Sequence, residues 1–308
     1  MRMLFAAATG AFLAVAAVTS AQAKLNVFAC VPEWAALTSA IGGDRVDVTL
    51  ASKATEDPEK LSPTPGMITA MDAADMFVCT GVDLEATWLP EVLKRTTNPK
   101  VADGKPGQFY AVQFVPLQKD DIGAFHTTHT HVHHSGNGHI EGDPRNIVKV
   151  AAQLAKRLIQ LDPDGKDYYT ERTKKFISDL NARIPDWEKK AAPLKGINLA
   201  AQHEHTLYLF RWLGIKTAAM IETEPGVEPG PEHLTNLISS IPQKQIKFIV
   251  YGAYEDPKES KYVADKAGVA LVKVPVTVGG TDEAKDFVSL YDDMINRLLD
   301  GLAGRARS

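Results

Sequence analysis

The stretch GKDYYTERTKKFISDLNARIPDWEKK, residues 165–190, decides how this chain is organised. It is densely charged, yet Tyr169, Phe176, Leu180, Ile184 and Trp187 recur at spacings of three, four or seven residues. One long helix satisfies that pattern, with an apolar stripe laid against its neighbours and a solvated opposite face. Pro185 interrupts the run: it has no N–H, and its ring clashes with the carbonyl of Asn181. A kink or an end to the helix is expected there.

On both sides of this stretch the same alternation appears. Before it, short β-branched runs at 25–31, 46–51, 76–80 and, more weakly, 109–114 alternate with helical segments at 33–41, 63–73, 85–94 and 145–161. After it, strands are expected at 197–202, 217–221, 247–251 and 270–274, with helices at 206–213, 231–241, 258–267 and 284–302. Strand–helix alternation of this kind implies an α/β fold of two lobes, each with a mostly parallel sheet flanked by helices, joined by one long helix. The expected division is 24–164 for the N-terminal lobe, 165–193 for the linking helix and 194–308 for the C-terminal lobe. Trp88, Tyr208, Phe210 and Trp212 fall at helical or strand spacing and are expected in the core.

Residues 1–23 have a short basic start, an apolar run and an Ala21-Gln22-Ala23 cleavage signature, the pattern of a secretory signal peptide. The run is too short to anchor the chain across a bilayer, and no cysteine follows the cleavage site to carry a lipid. A soluble periplasmic protein without direct membrane insertion is expected, and a monomer. With 34 Lys and Arg against 38 Asp and Glu, the formal charge is −4, and no stretch is basic enough to track nucleic-acid phosphates. Cys30 and Cys79 lie in apolar strand-like runs. Export permits a disulfide, but two buried free thiols are the expectation, because residues on parallel strands rarely meet the geometry of the bond.

Six of the nine histidines stand in the window HTTHTHVHHSGNGH, residues 126–139: His126, His129, His131, His133, His134 and His139. Imidazole is the commonest protein ligand of late divalent ions, and a polar tract of them can wrap an ion without a prebuilt cavity. The bland alternative is a polar surface loop. Residues 129–134 also approach the HxHxDH pattern of metallo-β-lactamase-like hydrolases. His133 stands where that pattern has Asp, and nothing upstream supplies the open metal position and general base that hydrolysis needs.

Ligands in open parallel sheets collect at the carboxyl ends of strands. That rule selects His203, directly after the apolar run INLAAQ, and Glu59, in the loop after VDVTLA. It also selects His139, just before Asp143-Pro144-Arg145, and Asp282, in the loop after LVKVPV. Two imidazoles and two carboxylates converging from both lobes would hold a divalent metal. As the bland readings, Glu59 and Asp282 are solvated loop charges and His203 a helix-start residue. In the stiff loop ETEPGVEPGPEH, Glu222, Glu224 and Glu228 could attract cations but read first as solvated loop charges, and His233 as capping or decorating a helix.

DPEKLSPTPGMITAMDAADMFVCTGVDLEATWLPEVL (57–93), the histidine-rich insert, GHIEGDPRNIVKVAAQLAKRL, QHEHTLYLFRWLGI and VPVTVGGTDEAKDFVSLYDDMINRLL occur in that order. Together they resemble the periplasmic solute-binding proteins of zinc and manganese ABC importers, over nearly the whole chain after residue 23. The resemblance implies two lobes joined by a rigid helix with a buried metal between them, delivered to a membrane permease. It places the second metal ligand on His139, before an Asp-Pro helix start, and the third on His203, eleven residues before Gly214. At the first position the family has Asp-Pro-His, whereas this chain has Asp57-Pro58-Glu59. For the fourth, Pro275-Val276-Thr277 stands where the family has an acidic residue, leaving Asp282, His205 or water. Zn2+ is the expected cargo, since the histidine tract favours borderline ions, with Mn2+ as the alternative. A periplasmic zinc chaperone or buffer would use the same residues.

Overall fold

The computed structural model describes residues 24–118, 136–223 and 227–306. The proposed leader (1–23), the histidines between 126 and 134, and Glu224 lie outside them. Strands β1 (Leu25–Ala29), β2 (Val46–Leu50), β3 (Met76–Cys79) and β4 (Gln108–Tyr110) form a parallel sheet in the order β2-β1-β3-β4. A second sheet repeats that order as β6-β5-β7-β8, built from β5 (Asn198–Ala201), β6 (Lys216–Met220), β7 (Ile246–Gly252) and β8 (Ala270–Val274). In each sheet the winding reverses at the central pair, β1 with β3 and β5 with β7. The crevice outside the carboxyl ends of such a pair is where α/β sheets bind ligands.

The helices are α1 (Pro32–Gly42), α2 (Pro65–Ala73), α3 (Leu89–Arg95), α4 (Pro144–Leu161), α5 (Lys166–Lys190), α6 (Leu207–Leu213), α7 (Pro231–Gln243), α8 (Lys258–Ala267) and α9 (Phe287–Leu302). Several open on proline, whose missing N–H costs nothing in the first turn. Between the two sheets runs α5, with Tyr169, Leu180 and Trp187 buried and its charged residues outward. It does not end at Pro185 but continues to Lys190. Asn181, whose carbonyl loses its donor there, is exposed to water, and buried Leu180 and Trp187 pin the helix on either side. Among the described residues, no helix is long and apolar enough to cross a membrane.

One apolar cluster runs through both lobes and α5, joining Trp34, Val78 and Leu154 to Tyr169, Trp187, Tyr208, Phe248 and Tyr291. Trp88, Tyr208, Phe210 and Trp212 are all buried, as expected of core residues. Helix α3 begins at Leu89 rather than near residue 85. The side chain of Glu85 folds back to accept N–H bonds from Thr80 (2.8 Å) and Gly81 (2.9 Å), which holds the preceding segment in turns. The weak strand at 109–114 is shorter than expected, because Ala111–Phe114 forms a 3₁₀ turn.

The cysteines correct the expectation of free thiols: Cys30 and Cys79 are disulfide-bonded, with their Cα atoms 4.8 Å apart. Strands β1 and β3 are adjacent and in register, Ala29 opposite Val78. The next residue of each strand therefore stands at the inter-strand spacing, which falls within the Cα range a disulfide accepts.

Candidate metal centre

Three segments bring Glu59, His139 and His203 together. Glu59 lies in a 3₁₀ turn, Pro58–Lys60, opened by Asp57, whose side chain accepts the Glu59 N–H at 3.0 Å. Trp88 Nε1–H donates to the carbonyl of Pro58 and fixes that turn on the N-terminal lobe. His139 precedes another 3₁₀ turn, Ile140–Gly142, and donates its N–H to Asn137 Oδ1 at 2.8 Å. Asp143 then caps α4 by accepting from Arg145 N–H. His203 follows the carboxyl end of β5 from the other lobe, while the neighbouring Gln202 N–H donates to Val250 of β7.

The potential ligand atoms of Glu59, His139 and His203 all lie within 4.8 Å of one another. His139 Nε2 is 3.3 Å from Glu59 Oε1. His139 and His203 are 3% and 8% exposed, so water can do little to stabilise charge there. Asp282 is exposed in the loop after β8 and joins none of the groups whose ligand atoms converge. The Thr281–Ala284 turn carries it outward. Thr277, the residue of that loop that does reach inward, donates Oγ1–H to Glu33 of α1 at 2.6 Å.

Carboxylates surround the imidazoles. His203 Nδ1 is 3.0 Å from Glu222 Oε2, His139 Nδ1 is 3.7 Å from Glu141 Oε1, and His205 Nδ1 is 3.3 Å from Glu255 Oε1. Glu222 is thus a partner of His203 rather than the solvated loop charge expected of it. Its N–H donates to Gln202, which places it directly beyond β6. Glu228, by contrast, is exposed and pairs with Lys258. His233 lies in the first turn of α7 and reaches Met220 O through Nε2 (3.2 Å), tying that helix to β6.

The titration behaviour follows from this packing. Burial works to lower the pKa of His203, but the Glu222 hydrogen bond and the charges of Glu59, Glu222 and Glu255 outweigh it and raise the imidazole to about 9. For His139, burial is likewise overcome by Glu141 and Glu59, and its pKa stands well above the ordinary value. Glu33 is pushed up to about 8 by burial and then by the charge of Glu141. Glu255 is also buried, yet His205 and His203 hold its carboxyl below the ordinary range. Without a cation, protons compensate the clustered carboxylates. A dication could replace them.

Contacts across the cleft hold the lobes together around this centre. Tyr208 OH donates to Asn137 O at 3.0 Å, Asn137 Nδ2 donates to Glu204 O at 3.3 Å, and Tyr291 OH donates to Glu141 O at 2.6 Å. His139 Nε2 is fully buried and makes no hydrogen bond within the protein. A buried orphan nitrogen facing a carboxylate and a second imidazole fits a divalent ion with mixed nitrogen and oxygen ligands.

The position of Glu222 and Glu255 was available to the same strand-end rule that selected His203. Each lies just beyond an apolar run, KTAAMI before Glu222 and FIVYG before Glu255. Glu141 carries a different signal, two residues after His139. What the sequence does not reveal is which of these charges turns inward.

The family model described as zinc-uptake complex component A, periplasmic, matches residues 27–301. The high-affinity zinc uptake system protein ZnuA of Bacillus subtilis (strain 168) is 25% identical over 288 residues, covering 91% of this chain and 86% of the relative. The manganese ABC transporter substrate-binding lipoprotein scaA of Streptococcus gordonii is 22% identical, covering 92% of this chain and 91% of that protein. Among solved structures, a crystal structure of ZnuA superposes with a TM-score of 0.76 at 20% identity, over 91% of this chain and 99% of that one. The structure of FpvC from Pseudomonas aeruginosa in complex with Mn2+ gives 0.73 at 18% identity, over 91% and 99%. With the family model spanning both lobes and the linking helix, this chain belongs to the family of the periplasmic component A of zinc-uptake complexes.

Proposed function

We propose that this protein captures one Zn2+ ion between its lobes, through Glu59, His139 and His203, and presents it to the membrane permease of an ABC importer. The observation that carries the reading is the convergence of those three potential ligands within 4.8 Å, from both lobes, with both imidazoles buried. The ion is cargo, and the protein is not an enzyme. Relatives named for zinc and for manganese transport support a transition-metal cargo. Two imidazoles and one carboxylate as the ligand set favour zinc over manganese, because borderline nitrogen donors suit the later ion. The protein works as a monomer on the periplasmic side, after residues 1–23 are removed, and the histidine tract gathers further zinc equivalents.

A ligand that binds only the folded form, present at about a hundred times its Kd, adds about 2.7 kcal/mol and raises the melting temperature by several degrees. Zinc is expected to give such a shift and manganese a smaller one. Equal shifts, or a larger shift for manganese, would overturn the zinc assignment.

A further inference from the structure

Cys30 directly follows β1 and Cys79 ends β3, the pair at which the N-terminal sheet reverses its winding. Their sulfurs therefore stand at the strand ends where α/β sheets gather ligands, as His203 does beyond β5 in the other lobe. A third group meets them there. The chain turns back after β3 through Gly81 and Val82, at φ of 88° and 58°, the second a strained conformation for a β-branched residue. That turn returns Glu85 to the strand end, where the N–H groups of Thr80 and Gly81 fix its carboxylate. The two sulfurs and a Glu85 carboxylate oxygen all lie within 4.8 Å of one another. All three residues are buried, Glu85 at 2% exposure.

A disulfide is neutral and gives a buried carboxylate no charge to pair with. Despite its two N–H bonds, burial pushes the Glu85 carboxyl up to about 7. Two thiolates beside a carboxylate, by contrast, are a donor set for a borderline dication. In a tetrahedral zinc site, sulfurs at ~2.3 Å from the ion stand roughly 3.8 Å apart and roughly 3.6 Å from a carboxylate oxygen. From within 4.8 Å, the three groups need to close by roughly an ångström at most. A cavity of about 490 Å3 opens beside Glu85, walled by Gly81, Leu89, Leu93, Tyr110 and Val112. None of Glu59, His139 and His203 lines it, so the approach is separate from the cleft between the lobes.

We propose that Cys30, Cys79 and Glu85 form a second metal site, in which the reduced chain holds one Zn2+ ion through two thiolates and a carboxylate, with water from the cavity as the fourth ligand. Disulfide and zinc are alternative occupants of the same place. Opening the S–S bond takes two electrons and two protons from a dithiol, which is itself oxidised to a disulfide; zinc then displaces the two thiol protons. The inference stands apart from the carrier reading, because it shares no residue with the inter-lobe site.

The test uses Co2+ in place of zinc on the full chain, since thiolate ligands give cobalt a near-ultraviolet charge-transfer band that imidazole and carboxylate do not. The S–S bond is opened with a water-soluble phosphine, which ends as its oxide by taking oxygen from water and leaves both thiols free. The reduced wild type is expected to show the band at one equivalent of cobalt and to lose it when zinc is added. The oxidised wild type and Cys79→Ser should show none. Glu85→Gln should weaken cobalt binding at this band by on the order of 10–100-fold or more, since even the outer partners of a metal ligand are worth that much. A reduced wild type without the band overturns the proposal, whether the sulfurs stay apart or the chain no longer folds without its cross-link. A band of unchanged affinity in Glu85→Gln also overturns it, because the ion would then be held by two loose thiols and not by a built site.

Discussion

Raising the pH from 6 to 9 should strengthen zinc binding far more than ordinary histidines would allow. An imidazole must be neutral to hold the ion. With the pKa of His203 raised to about 9, roughly one molecule in a thousand has it neutral at pH 6, against about half at pH 9. That residue alone predicts a rise in apparent affinity of about 500-fold across the interval. An unperturbed histidine, half-protonated near 6.5, would give only about fourfold. His139, also held well above the ordinary value, pushes the same way. Without metal the stability trend is opposite. A raised folded-state pKa contributes stability that is fully present below about 6.5 and is lost as the pH climbs through about 9, on the order of 3 kcal/mol for His203. Glu33, raised from 4.5 to about 8, loses stability in the same direction between those values. The metal-free melting temperature should therefore fall with rising pH while the increment from zinc grows. Chelator competition at several pH values, corrected for the chelator's own protonation, measures the first effect, and paired thermal scans the second. A rise in affinity of tenfold or less would refute the argument that the surrounding carboxylates hold these imidazoles protonated.

Glu59→Ala should weaken the tight zinc site while leaving the fold intact, since the side chain is only partly buried on its turn. His139→Ala and His203→Ala should cost at least as much, and zinc binding as tight as wild type in Glu59→Ala would remove Glu59 from the ligand set. Deleting residues 125–135 should preserve one tight binding event and abolish only weaker equivalents in a calorimetric titration; loss of the tight event would make the tract itself the primary site. Paired Cys30→Ser and Cys79→Ser substitutions open a cross-link of sequence separation 49 and should destabilise the chain by about 2–5 kcal/mol in denaturant unfolding, with zinc stoichiometry unchanged. An unchanged denaturation midpoint would mean that the bond does not constrain the unfolded chain.

The architecture was legible because its signals are local. The spacing from Tyr169 to Trp187 defines α5, and the alternation on either side of it defines two parallel sheets flanked by helices. Pro185 misleads, since its effect on the helix depends on whether water can reach Asn181, a tertiary fact. The disulfide was missed for a similar reason: that β1 and β3 are neighbours in register is a matter of strand order, which the pattern of residues does not carry. At the site, the strand-end rule selected His203 and Glu59 and the Asp-Pro helix start marked His139, three residues that the fold brings together. The same rule nominated Asp282, because it sees position along the chain and not the direction of a side chain. Glu222 and Glu255 follow strands just as His203 does, and only the packing of β5, β6 and β7 shows that both face imidazoles.

The central claim is that one zinc ion is the cargo of the cleft. Elemental analysis of the protein isolated from periplasm, with neither metal nor chelator added, tests it most directly. The account predicts zinc as the dominant metal, with one equivalent per chain surviving gel filtration and lost on His203→Ala. Manganese as the dominant metal, or zinc that persists undiminished in His203→Ala, would contradict it.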